Sequence, residues 1–141
     1  MSSKKVRDSD YLEHIANRIA RIERATSGVD LAGFLGNEVL QAAVERDIEI
    51  IGEAAGKLSQ HTRDLAPDVP WSQVIGARNV IVYGHAQIEP DRIWDIVKIH
   101  VPSLGDAVGR LRQLVNEEER AEARQPEQSE EISDRHEDRD R

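Results

Sequence analysis

The chain of 141 residues contains no cysteine, which excludes a disulfide framework, a thiolate zinc site and a cysteine nucleophile. Aromatic side chains are scarce: Tyr11, Phe34, Trp71, Tyr83 and Trp94 are all of them. No apolar run approaches the ~20 residues that cross a bilayer. The start, Met1 to Lys5, is not followed by the apolar stretch of a secretory leader. Strand-like alternation, internal repeats and a Gly-rich phosphate loop are missing too. One domain with one modest core is expected from this length, in a cytoplasmic, soluble protein. Positive charge is in deficit as well. With 19 Lys+Arg against 27 Asp+Glu the net charge is −8, which at first counts against a nucleic-acid partner, because phosphate binding draws on Lys and Arg.

The deficit is not evenly spread. Glu117 to Arg141 holds 11 acidic and 5 basic residues, a charge of −6. Its apolar residues are Ala121, Ala123 and Ile132, too few to offset ordering entropy, so residues 117–141 read as a disordered acidic tail. The folding unit is then 1–116, nearly neutral at −2, and an acidic total says little about any cleft within it.

What is present is helical periodicity. Tyr11, Leu12, Ile15, Ile19 and Ile22 recur at helical steps after a cap at Asp8 or Ser9, and Gly28 marks the stop. Asp30 caps a short turn through Leu35. A long helix is predicted from about Asn37 to Leu58, with Leu40, Val44, Ile48, Ile51, Ala55 and Leu58 as its buried stripe. Gly52 and Gly56 inside it weaken an isolated helix and read as close-approach points for another. A short turn around His61 to Leu65 precedes Pro67 and Pro70. A helix follows from Trp71 to about Tyr83, closed by Gly84, and a last one opens at Pro90 and runs through Val115. Pro102 should kink it or split it in two. The expected fold is all-α: an antiparallel helical bundle of four to five helices with a disordered acidic tail.

The chemistry-bearing stretch is Arg78-Asn79-Val80-Ile81-Val82-Tyr83-Gly84-His85. Seven steps of about 100° bring residue 85 to within about 20° of residue 78, so Arg78 and His85 share a face if the helix persists. A guanidinium is a fixed-charge fork that matches two phosphate oxygens and stabilises charge developing on them. An imidazole titrates near neutrality and can move a proton on or off a ribose hydroxyl. Asn79 can orient the phosphate or the histidine. Neither metal nor cofactor is required by this set. On spacing alone, a helix-end histidine and an ion-paired surface arginine remain the plainer alternative.

Asp10-Tyr11-Leu12-Glu13, Ile50-Ile51-Gly52-Glu53-Ala54, Pro70-Trp71, Ile75-Gly76-Ala77-Arg78-Asn79 and Ile93-Trp94 stand in one order along the chain. In this the sequence resembles the HepT-like family of HEPN-domain ribonucleases, the toxins of HEPN/MNT toxin–antitoxin modules, over about residues 7 to 115. The resemblance implies a HEPN-like bundle, a metal-independent endoribonuclease acting on RNA, and a homodimer in which two motifs face each other across one cleft. It also implies a nucleotidyltransferase (MNT-type) antitoxin as partner, which in some members AMPylates a tyrosine of the motif. Arg78 and His85 match the family's arginine and histidine, and Asn79 the asparagine. In the usual pattern histidine follows four intervening residues and tyrosine stands two further on. Here Tyr83 and His85 are exchanged relative to that pattern. A tyrosine hydroxyl, ordinarily titrating near pH ~10, is no base at neutrality, so His85 takes the proton-transfer role and Tyr83 becomes a positioning residue and the possible modification site. The same exchange supports an alternative: a noncatalytic HEPN module that binds a nucleotidyltransferase or a nucleotide.

Other polar residues carry weaker expectations. Glu53 is an orienting partner for Arg78 or His85, or else a plain ion-pair residue; Glu49, four earlier, has no histidine to complete a metal site. His14, Arg18 and Arg21 either line an RNA path or form a solvated face. His61, His100 and His136 read as surface residues, Trp71 and Trp94 as core.

Overall fold

The computed structural model describes residues 6–83 and 89–124, with side chains at 80–83 outside that description. Seven α-helices and one π-helical turn follow in order: α1 (Asp8–Thr26), α2 (Leu31–Leu35), α3 (Glu38–Gly56), α4 (Gln60–Asp64), α5 (Trp71–Tyr83), α6 (Pro90–Asp95), the π turn (Ile96–His100) and α7 (Val101–Arg124). The all-α bundle is thus the observed architecture. α3 lies at its centre, packed on α1 at one side and α5 at the other, while α1 also packs against α7.

Local chemistry explains the boundaries. α1 begins at Asp8, where the Asp10 carboxylate accepts the Arg7 N–H at 3.0 Å. Asp8 itself is not the cap. Its carboxylate instead accepts the Ser59 N–H at 3.1 Å and the hydroxyls of Ser59 and Thr62, tying the start of α1 to α4. Burial alone would raise the Asp8 pKa. The bonds from Ser59 and Thr62, with the charge of His61, outweigh that and hold it below the ordinary 3.8. Gly28 at φ +73° provides the left-handed step that ends α1. Asp30 and Asn37 cap α2 and α3 by accepting Gly33 and Leu40 N–H groups at 2.8 and 3.0 Å.

The core runs through Leu12, Ile15, Ile22, Val44, Ile51 and Leu111, with Phe34 against Trp94 at 5.0 Å between ring centroids. Trp71 and Trp94 are both buried. The Trp71 indole donates to the Arg63 and Ala66 carbonyls, both at 3.1 Å, and so closes the Pro67–Pro70 loop onto the bundle.

Pro102 splits the last helical run through a π turn. Proline has no N–H to donate four residues back, and just ahead of it the ladder widens: the Val101 N–H bonds the Ile96 carbonyl, five residues back. α7 then continues to Arg124, eight residues past the boundary expected at 116. Glu, Ala and Arg extend a helix that is already nucleated, with no need of burial. His61 meets Glu118 at 3.0 Å, so α4 touches this extension. Residues 125–141 lie outside the described residues.

Candidate functional site

α5 is rich in β-branched residues, which lose rotamer freedom in a helix, so its packing on α3 must hold it. Its start is fixed by Pro70, whose carbonyl accepts the Gln73 and Val74 N–H groups at 3.0 Å each, and by the Trp71 indole bonds. Two turns on, Arg78 stands at the seam with α3. A methyl on Gly52 would lie 3.3 Å from Arg78 Cβ, which shows how closely the arginine stem rests on that glycine.

Arg78 is half-buried. Its Nε is shielded from solvent and has no hydrogen-bond partner among the described residues. No carboxylate forms an ion pair with it among those residues. A buried guanidinium nitrogen with no partner costs free energy. Asn79, the next residue, is exposed. The side chain of Tyr83 and the whole of His85, and with them the face expected to carry both Arg78 and His85, lie outside the described residues.

Glu53 stands one residue beyond Gly52. Its ion pair is with Lys57 at 3.8 Å, one turn along α3, and Lys57 also sits 5.9 Å over the Tyr11 ring. Glu49 is held by Arg46 at 2.7 Å. Among the described residues no three His, Asp or Glu side chains are grouped as metal ligands.

Arg18 and Arg21 turn out to be committed elsewhere. Both converge on Asp47 of α3, at 3.1 and 3.4 Å, and Asp47 is only 5% exposed. These two arginines tie α1 to α3, so neither stands on a purely solvated face. Nothing local in the sequence marks Asp47 as buried. A cleft of about 480 Å³ opens between α3, α5, the Asp68–Pro70 loop, the π turn and α7. It is floored by Ile51, Val74 and Leu104 and edged by His100, Asp106 and Arg110. His100 is exposed, as expected, yet belongs to this cleft.

The sequence profile described as ribonuclease HepT-like matches residues 15–111, which spans α1 to α7 and includes Arg78 and Asn79. The chain belongs to the HepT-like ribonuclease family. Within the family it is 34% identical over 103 residues to the "Probable ribonuclease HepT" of Thermococcus cleftensis, covering 73% of this chain and 94% of that protein. A "Putative RNase" of Methanocaldococcus jannaschii is 35% identical over 79 residues, 56% of this chain and 72% of the relative. Another, from Caldanaerobacter subterraneus, is 29% identical over 103 residues, 73% and 92% of the two chains. No solved structure matches the chain significantly.

Proposed function

We propose that this HepT-like chain is a metal-independent endoribonuclease of the toxin type, with Arg78 and His85 as its catalytic residues. The observation that carries the reading is the half-buried Arg78 guanidinium, whose Nε has no partner among the described residues, in a chain whose relatives are named as ribonucleases. Arg78 clamps the scissile phosphate and stabilises the charge that develops on its non-bridging oxygens. His85 takes the proton from the ribose 2′-hydroxyl or returns one to the leaving oxygen. The 2′-oxygen forms a bond to phosphorus as the bond to the 5′-oxygen breaks. The products are a 2′,3′-cyclic phosphate and a 5′-hydroxyl end. Asn79 and Tyr83 position the substrate or the histidine, with Glu53 as a further positioning residue.

One motif supplies one arginine and one histidine, too few to enclose a phosphate from both sides. The site is therefore composite, built by two protomers of a homodimer, and a nucleotidyltransferase antitoxin neutralises it in the cytoplasm, with Tyr83 as the AMPylation candidate. RNA cleavage by the purified chain, lost in both Arg78→Ala and His85→Ala, is the expected result. Parental cleavage by either variant would refute the assignment, and a strictly monomeric species at micromolar concentration would remove the composite site. The exchange of Tyr83 and His85 relative to the usual motif favours one rival, a noncatalytic module. Stable binding to a nucleotidyltransferase with no cleavage over a panel of RNAs would establish it.

A further inference from the structure

A glycine in the interior of a helix weakens it, so Gly52 in the middle of α3 asks for a compensating reason. The surroundings supply one. A methyl at this position would stand 2.8 Å from the Val74 carbonyl oxygen, 3.4 Å from the Ile75 carbonyl oxygen and 3.3 Å from Arg78 Cβ. Two of these three neighbours are backbone atoms of α5, held in a helical ladder, and cannot step aside as the tip of a side chain can. A Cβ at residue 52 must therefore push α5 outward by several tenths of an ångström to reach ordinary contact. Gly56, one turn along the same face, is different: its methyl would meet Ile75 Cγ2 at an ordinary 3.6 Å.

The third neighbour links this packing to chemistry. Arg78 Cβ belongs to the same contact, and Arg78 Nε is buried at the seam. We propose that Gly52 is a positioning residue for Arg78: its missing side chain sets how deeply α5 seats on α3, and with it the depth and aim of the guanidinium toward the scissile phosphate. This role rests on the ribonuclease reading above. Displacements of this size at a charged clamp are costly, since ~1 Å of misplacement can lower a rate by about 100-fold. A residue that merely packs two helices would, in contrast, alter stability and leave turnover of the folded protein alone.

The test compares parent, Gly52→Ala, Gly56→Ala and Arg78→Ala. Each is first checked for folding by circular dichroism. RNA cleavage is then measured under saturating and subsaturating RNA, and hydrogen exchange of the Arg78 Nε–H is followed by NMR. In Gly52→Ala, kcat is expected to fall by at least about tenfold with KM within about twofold, and the Arg78 Nε–H to exchange faster than in the parent. Gly56→Ala is expected to keep parental kcat and parental exchange. Gly52→Ala with parental kcat, while Arg78→Ala is inactive, overturns this inference and leaves the ribonuclease reading standing. Cleavage by Arg78→Ala at the parental rate overturns both. The parent alone also decides, even if Gly52→Ala fails to fold. Its Arg78 Nε–H must exchange more slowly than that of Arg46, whose side chain is 63% exposed; equal rates overturn the seat.

Discussion

Replacing Asp47 by alanine probes the joint between α1 and α3 and decides what Arg18 and Arg21 are for. Asp47 is 5% exposed and receives Arg18 at 3.1 Å and Arg21 at 3.4 Å. Removing one partner of a fully buried pair costs ~3–5 kcal/mol, because the remaining charge is stranded. Here the stranded side chain, Arg18, keeps 24% of its surface in water, which cuts the expected cost to about 2 kcal/mol. Arg21 is 57% exposed, and its own truncation should cost no more than ~1 kcal/mol. For a domain of this size about 2 kcal/mol corresponds to a fall in Tm of roughly 8 °C. Urea and thermal unfolding of Asp47→Ala, Arg18→Ala, Arg21→Ala and the Arg18/Asp47 double variant supply the measurement. The double variant should lose less than the sum of its singles, since Asp47→Ala alone leaves Arg18 uncompensated. A loss in Asp47→Ala no larger than in Arg21→Ala would refute the reasoning. RNA cleavage per folded molecule should be unchanged in Arg21→Ala, and a large loss there would return α1 to the RNA path.

Two carboxylates give opposite pH signatures. Asp8 has a folded pKa held below the ordinary 3.8, so its contribution to stability is present above that ordinary value and lost as pH falls through the lower folded one. In Asp8→Asn the urea midpoint should be lower than the parent's at pH 7, and the gap should close at the acid end. Glu45 is the reverse case, because burial raises its pKa above the ordinary 4.5. Its ionised form opposes folding at neutral pH, and the penalty disappears below that ordinary value. Glu45→Gln should therefore raise Tm at pH 7 and leave it unchanged near pH 4; equal gains at both would refute the assignment to burial of charge.

The candidate site was legible in the sequence to unequal depth. Arg78 and Asn79 are candidates by residue type and order, and α5 is legible as a helical run bounded by Pro70 and Gly84. What the sequence did not show is that the Arg78 Nε is buried without a described partner, since burial there depends on α3, more than twenty residues away. The Glu53–Lys57 pair is an i,i+4 relation, which a sequence can express. The absence of a Glu53–Arg78 ion pair is a matter of how two helices are rotated about their seam.

By itself the sequence determined what acts within a few residues: the Asn37 and Asp30 caps, the stop at Gly28, the apolar stripes of α1 and α3, and the interruption at Pro102. The caps, the stop and the interruption are set by groups no more than about one turn away, and the stripes by a repeat along one helix. Tertiary structure alone decided the rest. The interruption at Pro102 took the form of a π turn over Ile96–His100. Asp8 became a tie to α4, and Asp47 became the buried hub of two arginines. Gly52, legible as a point of close approach, acquired its particular neighbours, the Val74 carbonyl and the stem of Arg78. These outcomes depend on which faces of distant helices meet, and that is set by packing of the whole core, which no local pattern encodes.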